Sequence, residues 1–245
     1  CGTTGLKTAY GRVSLEGVWP LAPSFDTIGP MARDVAGVLA GMQLLEPGFQ
    51  ASNASATSIG RIRTDGDPVI ETAVDAALRA AGFEIIDLAW HDLAQATDPW
   101  TSIYLQEIWD CDHELLENDP DGIGTDVAGM IAMGPVLGAD APDARIKLAA
   151  WRESFAKIFD RVQLLALPTM PIFAPRIDAI TPDTLLPLTI EVTKYATVFN
   201  AAGTPCTAQP VPAAGSRLPA SLQLVGPHNS EALLLATASK VEAAV

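Results

Sequence analysis

The chain has 245 residues, 49% of them hydrophobic, with 15 basic against 29 acidic side chains and a formal net charge of −14. That length can bury a real core as one domain, and the apolar content excludes disorder as the default state. The acidic balance excludes binding through nucleic-acid phosphates or anionic lipid, and no apolar run approaches the ~18 residues of a membrane span. Three cysteines, Cys1, Cys111 and Cys206, show no CxxC spacing; such a sparse, odd set reads as reduced thiols and a cytoplasmic setting. No signal peptide is visible.

The opening stretch, Cys1 to Val35, is punctuated by Gly2, Gly5, Gly11, Gly17 and Gly29 and by Pro20, Pro23 and Pro30. Leu6, Val13, Val18, Trp19, Leu21, Phe25 and Ile28 are interleaved with them, so buried turns and short strands are expected rather than a solvent loop. Asp34 caps a helix whose Val35, Val38, Leu39, Met42 and Leu45 share one face, and Pro47-Gly48 stops it. Residues 49–58 read as a surface loop. IGRIRT at 59–64 is a strand, Asp67-Pro68 starts a helix that Gly82 ends, and FEIIDL at 83–88 is a second strand. This β–α–β unit requires parallel strands with the helix on a face.

Trp90 to Asn118 reads as helix in two pieces broken at Pro99, followed by an acidic turn over 118–126. The Gly/Ala/Met segment from there to Pro142 carries no clear period. Trp151, Phe155, Ile158, Phe159 and Val162 mark an amphipathic helix over 146–162. LLAL at 164–167 is a buried strand that delivers the loop 168–171. A helix over 192–202 stops at Gly203, strands follow at 206–211 and 220–226, and a helix over 230–245 closes the chain.

Few side chains in this pattern carry chemistry by themselves. There is no G-x-S-x-G, and His91, His113 and His228 stand in ordinary contexts. Lys7 and Ser14 admit a Ser–Lys pair, since a desolvated lysine can serve as base. Asp110, His113, Glu114 and Glu117 share a helix face that can ligate a divalent ion. The plainer account is a solvated acidic face, because no H-E-x-x-H accompanies it. Asp110 and Asp112 should raise rather than lower the pKa of Cys111, so packing accounts for that thiol better than nucleophilic use. No metal and no cofactor is expected.

CGTTGLKTAYGRVS and GVWPLAPSFDTIGPMARDV at the start resemble the segment that follows the nucleophile in the amidase signature family. LLALPTMPIFAP at 164–175, VFNAAGTPCTAQPV at 198–211 and ASLQLVGPHNSEALLLATASKVE at 220–242 continue the resemblance in the family's order. The resemblance implies an α/β fold with a mixed β-sheet covered by helices. It also implies hydrolysis of carboxamide C–N bonds by a Ser–Ser–Lys triad. The family's Gly/Ser-rich stretch with both serines, and the lysine, lie before the residue matching Cys1. Residues 1–245 are therefore expected to be the C-terminal portion of a longer enzyme, a single incomplete amidase domain without catalytic residues of its own and inactive alone. Lys7 matches a lysine after the nucleophile, which argues against an internal Ser–Lys site.

Carried over by position, the pocket wall comprises Phe25, Asp26, Thr27, Ile28, Thr169, Met170 and Asn200. Asp26 is also suited to holding backbone amides of its own turn. Trp19, Trp100 and Tyr104 offer an aromatic wall or core packing, and Gln223 a buried hydrogen bond. The expected partner is a small-molecule amide, with neither nucleic acid nor membrane. Two alternatives stand beside this reading. One is a non-catalytic scaffold that forms a homo-oligomer or pairs with an N-terminal partner fragment. The other is a metal-dependent hydrolase built on the Asp110–Glu117 face.

Overall fold

A computed structural model describes residues 2–88 and 92–245; Cys1, Ala89, Trp90 and His91 lie outside them. Among the described residues seven strands form one sheet: β1 (Thr4–Lys7), β2 (Met31–Ala32), β3 (Ser58–Ile62), β4 (Glu84–Leu88), β5 (Leu164–Pro168), β6 (Cys206–Val211) and β7 (Ala220–Val225). Their spatial order is β2-β1-β6-β7-β5-β3-β4. The helices are α1 (Val35–Leu45), α2 (Pro68–Ala80), α3 (Thr97–Asn118), α4 (Thr125–Leu137), α5 (Ala141–Ala156), α6 (Pro182–Ala202) and α7 (Glu231–Glu242). The fold is thus the mixed α/β arrangement expected. None of these helices is long and apolar enough to cross a membrane.

The two halves of the sheet differ in kind. β3 pairs in parallel with β4 and with β5, whereas β5–β7, β7–β6, β6–β1 and β1–β2 are antiparallel. The switch lies between β5 and β7, where Leu165 faces Val225 and Pro168 faces Leu222. All of β5 is buried, and its alternation sorts it onto both faces. Leu164 and Ala166 join a core with Val38 and Met42 of α1, Val74 and Leu78 of α2, and Leu234 of α7. Leu165 and Leu167 join a second core with Ile103 of α3, Leu148 and Phe155 of α5, and Phe199 of α6. Each fully buried Leu or Val contributes about 2 kcal/mol, so this central strand anchors both layers.

The β–α–β unit forms as its caps direct. The Asp67 side chain accepts from the Val69 amide, and Pro68 sits in the first turn. Elsewhere the structure departs from the sequence expectation, first at residues 49–58, where Phe49 and Ala56 are buried in the core rather than carried on a surface loop. Pro99 does not break a helix, because α3 begins at Thr97 and places the proline in the first turn, where no intrahelical N–H is required. Residues 125–137 form α4, whose small residues allow close approach to α3: a Cβ added at Gly134 would lie 2.4 Å from Trp109 Cβ. The helix expected over 146–162 starts at Ala141, with Pro142 in its first turn, and gives way to a 3-10 turn over Lys157–Asp160. α6 starts well before 192, since Thr181 builds a capping box with Thr184 and Pro187 is accommodated within the helix.

The opening stretch is only partly buried. Leu6 and Phe25 are in the core, but Val18, Trp19 and Leu21 are exposed. Buried carboxylates from distant helices hold this segment instead of apolar packing alone. Glu231 of α7 accepts from the Ala9 amide at 2.8 Å and from Arg12 at 2.7 Å. Glu107 of α3 accepts from the Ser24 amide at 2.8 Å, and Asp112 from the Trp19 indole at 2.8 Å.

A second ionic feature ties β3 to α2. Arg61 is fully buried and reaches Glu71 at 2.5 Å and Asp75 at 2.8 Å, while Arg63 also binds Asp75. Burial alone would raise the Asp75 pKa, but hydrogen bonds from Arg63 and Arg61 and their positive charge outweigh it and hold the carboxyl below its ordinary value. Arg61→Met, which leaves two half-shielded carboxylates with less compensation, is predicted to lower stability by about 3 kcal/mol in urea unfolding. A folded-state pKa below the unfolded one contributes stability that is complete above the unfolded carboxylate value and is lost as pH falls through the folded value. Asp75→Asn should therefore flatten the acid limb of stability between neutral and low pH; an unchanged limb would contradict this assignment.

Candidate active site

At the β5–β7 switch the strands diverge in direction, and loops leaving their ends frame a crevice, as in open α/β sheets generally. A cavity of about 440 Å³ occupies this place, within the size range of small-molecule sites. Its floor is the start of β7 and the residues just past β5. The Thr169 amide donates to the Ser221 carbonyl at 2.8 Å, and the two side-chain oxygens lie 2.8 Å apart. One wall comes from the first half of α6 through Leu185, Leu188 and Val192, and Met170, Leu218 and Pro219 add to the lining of a half-open cleft. No charged side chain lines it among the described residues.

Of the seven wall residues expected from the sequence, Thr169 and Met170 line this cavity and the other five do not. Those five form the region around the Ala22–Asp26 turn. Asp26 accepts from the amides of Leu21, at 2.9 Å, and Ala22, at 3.1 and 3.2 Å, the backbone-holding role open to an Asx side chain. Phe25 is buried, and its carbonyl accepts from Asn200 Nδ2 at 3.0 Å. Asn200 Oδ1 accepts in turn from the Trp100 indole at 2.8 Å, and Trp100 stacks on Tyr104 with centroids 4.4 Å apart. Thr27 and Ile28 are half-buried, and the Ile28 carbonyl accepts from the Thr8 hydroxyl at 2.7 Å. Trp100 and Tyr104 thus pack beside Phe25, whereas Trp19 stands apart and is 67% exposed.

Sequence reasoning missed Ser221 and the first half of α6. Ser221 stands two residues before Gln223, so strand alternation puts both on one face. Thr181-Pro182 is a cap-plus-proline helix start, and Leu185, Leu188 and Val192 follow at spacings of three and four.

The rival constellations do not assemble. His113 Nδ1 pairs with the Trp109 carbonyl at 2.7 Å, and Asp110 accepts from Gln106 at 2.8 Å. Among the described residues no group of three His, Cys, Asp or Glu side chains could hold a metal ion, and the face with Asp110, His113, Glu114 and Glu117 supplies no such group. Lys7 donates to the Thr8 carbonyl at 3.2 Å, and Ser14 accepts from the Glu16 amide at 3.2 Å. Burial lowers the Lys7 pKa against the opposing charges of Cys206 and Glu231. Burial and the charges of Asp112, Asp26, Glu107 and Asp110 raise that of Cys111. Burial also raises the Cys206 pKa, with Lys7 opposing it. His228 is exposed. Gln223 is buried as expected, but its Nε2 has no partner among the described residues.

The family profile described as Amidase matches residues 1–235. The chain belongs to the amidase family. Among curated relatives of this amidase-family chain, 2-amino-5-chloromuconic acid deaminase of Comamonas testosteroni is 28% identical across all of the chain and 56% of the relative. A glutamyl-tRNA(Gln) amidotransferase subunit of Halobacterium salinarum is 29% identical across 99% of the chain and 68% of the relative. A crystal structure of an amidase superposes with a TM-score of 0.83 and 25% identity, over 99% of this chain and 58% of that one. The fold is shared with a 6-aminohexanoate cyclic dimer hydrolase solved with substrate, at a TM-score of 0.79 and 20% identity, over 100% of this chain and 61% of that one. The chain thus spans little more than half the length of several proteins it matches.

The Asn200 bridge yields a direct check on this amidase-family chain. Asn200→Leu leaves the Trp100 indole N–H and the Phe25 carbonyl without their shared partner, and is predicted to cost about 2–3 kcal/mol in urea unfolding with a change in near-UV dichroism. Unaltered stability and spectrum would show that the bridge does not hold the Ala22–Asp26 turn.

Proposed function

We propose that these 245 residues supply the sheet scaffold and the acyl-pocket wall of an amidase acting on small carboxamides, with the cavity at the β5–β7 switch as the acyl site. The observation that carries this reading is the half-open, mainly apolar cavity, lined by Thr169 and Met170, the T-x-P loop residues that the family resemblance singles out. In the reaction the resemblance implies, a serine attacks the amide carbon while a second serine relays a proton from it to the lysine and on to the departing amine. Water then releases the acid. The contribution of this chain is to hold the acyl part of the substrate dry and in register with those groups, which lowers the entropic part of the barrier. Phe25, Asp26, Thr27, Ile28 and Asn200 act at one remove, by fixing the turn that packs on α3 and α6. The Ser–Ser–Lys groups come from the segment that precedes this region in the family, and the setting is cytoplasmic.

Ammonia release tests both parts of the proposal. The 245-residue chain alone should release none from octanamide above the no-protein rate. Joined to a triad-bearing amidase segment it should release ammonia, and Leu188→Trp, which fills the cavity, should raise KM or abolish turnover. Turnover by the chain alone that is lost on substituting one of its own residues would contradict the proposal, as would a joined enzyme without activity.

A further inference from the structure

We infer that the cavity at the β5–β7 switch selects an uncharged, mainly aliphatic acyl group and reads one oxygen of it through the Thr169–Ser221 hydroxyl pair. This rests on the acyl-site reading above and narrows the substrate class. Ile180, Leu185, Leu188, Val192, Met170 and Leu218 give the cavity its aliphatic wall. A carboxylate or ammonium placed among them would lose its water and, among the described residues, meet no opposite charge on the lining.

The polar inventory is short. The Thr189 hydroxyl donates to the Leu185 carbonyl at 2.8 Å, so its proton is already used within the helix. The Thr169 amide is likewise engaged by the Ser221 carbonyl. What remains at the floor is the Thr169–Ser221 pair, whose oxygens are 2.8 Å apart. Two hydroxyls carry two protons, and one of these lies in the bond between them. The other is free to donate to a single acceptor on the bound molecule. Thr3 adds one further hydroxyl to the lining, and a mainly apolar chamber with so few donors suits a neutral chain bearing a carbonyl, ether or hydroxyl oxygen. It rejects an acyl group with an ionised end.

Calorimetric titration of the 245-residue chain at neutral pH, with octanamide and with suberic acid monoamide, compares ligands that differ chiefly in a terminal carboxylate. Octanamide is expected to bind saturably, and the monoamide at least about tenfold more weakly. Ser221→Ala should weaken octanamide by about three- to tenfold, the range of one neutral hydrogen bond. Thr189→Lys, which puts a cation on the wall, should shift preference toward the monoamide; circular dichroism establishes that both variants are folded. Equal or tighter binding of the monoamide by the unsubstituted chain overturns the inference, and so does the absence of saturable octanamide binding. The wild-type comparison decides the matter even if a variant does not fold. Binding requires no triad, so a joined enzyme without turnover would sink the amidase proposal and leave this comparison intact. An enzyme that hydrolyses the charged amide would do the reverse.

Discussion

The antiparallel pairing of β5 with β7 is the constraint on which the molecule depends. It joins the parallel strands β4, β3 and β5 to the antiparallel strands β7, β6, β1 and β2. It also fixes which strand ends open onto the cavity. β5 and β6 run the same way, because both are antiparallel to β7. Their far ends and the near end of β7 therefore meet on one side of the sheet, where Met170, Pro210 and Ser221 line one chamber. A one-residue slip of β7 would turn Leu222 and Leu224 out of one core and reverse the alternation that fills both layers. Register, core and cavity are set by the same hydrogen bonds.

The opening segment reaches this frame through charge. Glu231 is wholly buried and holds a backbone amide and Arg12 from the other end of the chain. Glu107 collects the Ser24 amide and hydroxyl and Arg145. Carboxylates taken out of water are tolerable only when several donors surround them, and each of these has such a shell. The result is specificity of placement for a segment whose own apolar residues are in part exposed. Gly29 adds a steric condition, since a Cβ there would lie 1.8 Å from the Leu6 carbonyl oxygen.

How much of this was legible in the sequence depends on what holds each element. The β–α–β unit could be read because its period, cap and stop all agree: Asp67-Pro68, Ile70, Val74 and Leu78, then Gly82. α4 could not, because it packs by small residues such as Gly134 rather than by an apolar stripe. The first half of α6 carries Pro182 and Pro187, which lower helix propensity, although the first belongs to the helix start. The site divides on the same line. Thr169 and Met170 were marked by the T-x-P loop, whereas Leu185, Leu188 and Ser221 converge only once β7 and α6 are placed in space. Val18, Trp19 and Leu21 look like core by composition, yet the indole of Trp19 is held at the surface by Asp112.

These elements give an amidase-family frame whose chamber is shaped by aliphatic side chains and carries the Thr169–Ser221 hydroxyl pair at its floor. The central claim is that this chamber, at the switch between the parallel and antiparallel halves of the sheet, is where the acyl group lies. A crystal structure of the chain grown with octanamide tests it most directly. The account predicts the alkyl chain between Leu188 and Pro219, with the amide oxygen about 3 Å from the Ser221 hydroxyl. Octanamide bound elsewhere, or lying in the chamber with its amide turned away from Thr169 and Ser221, would contradict it.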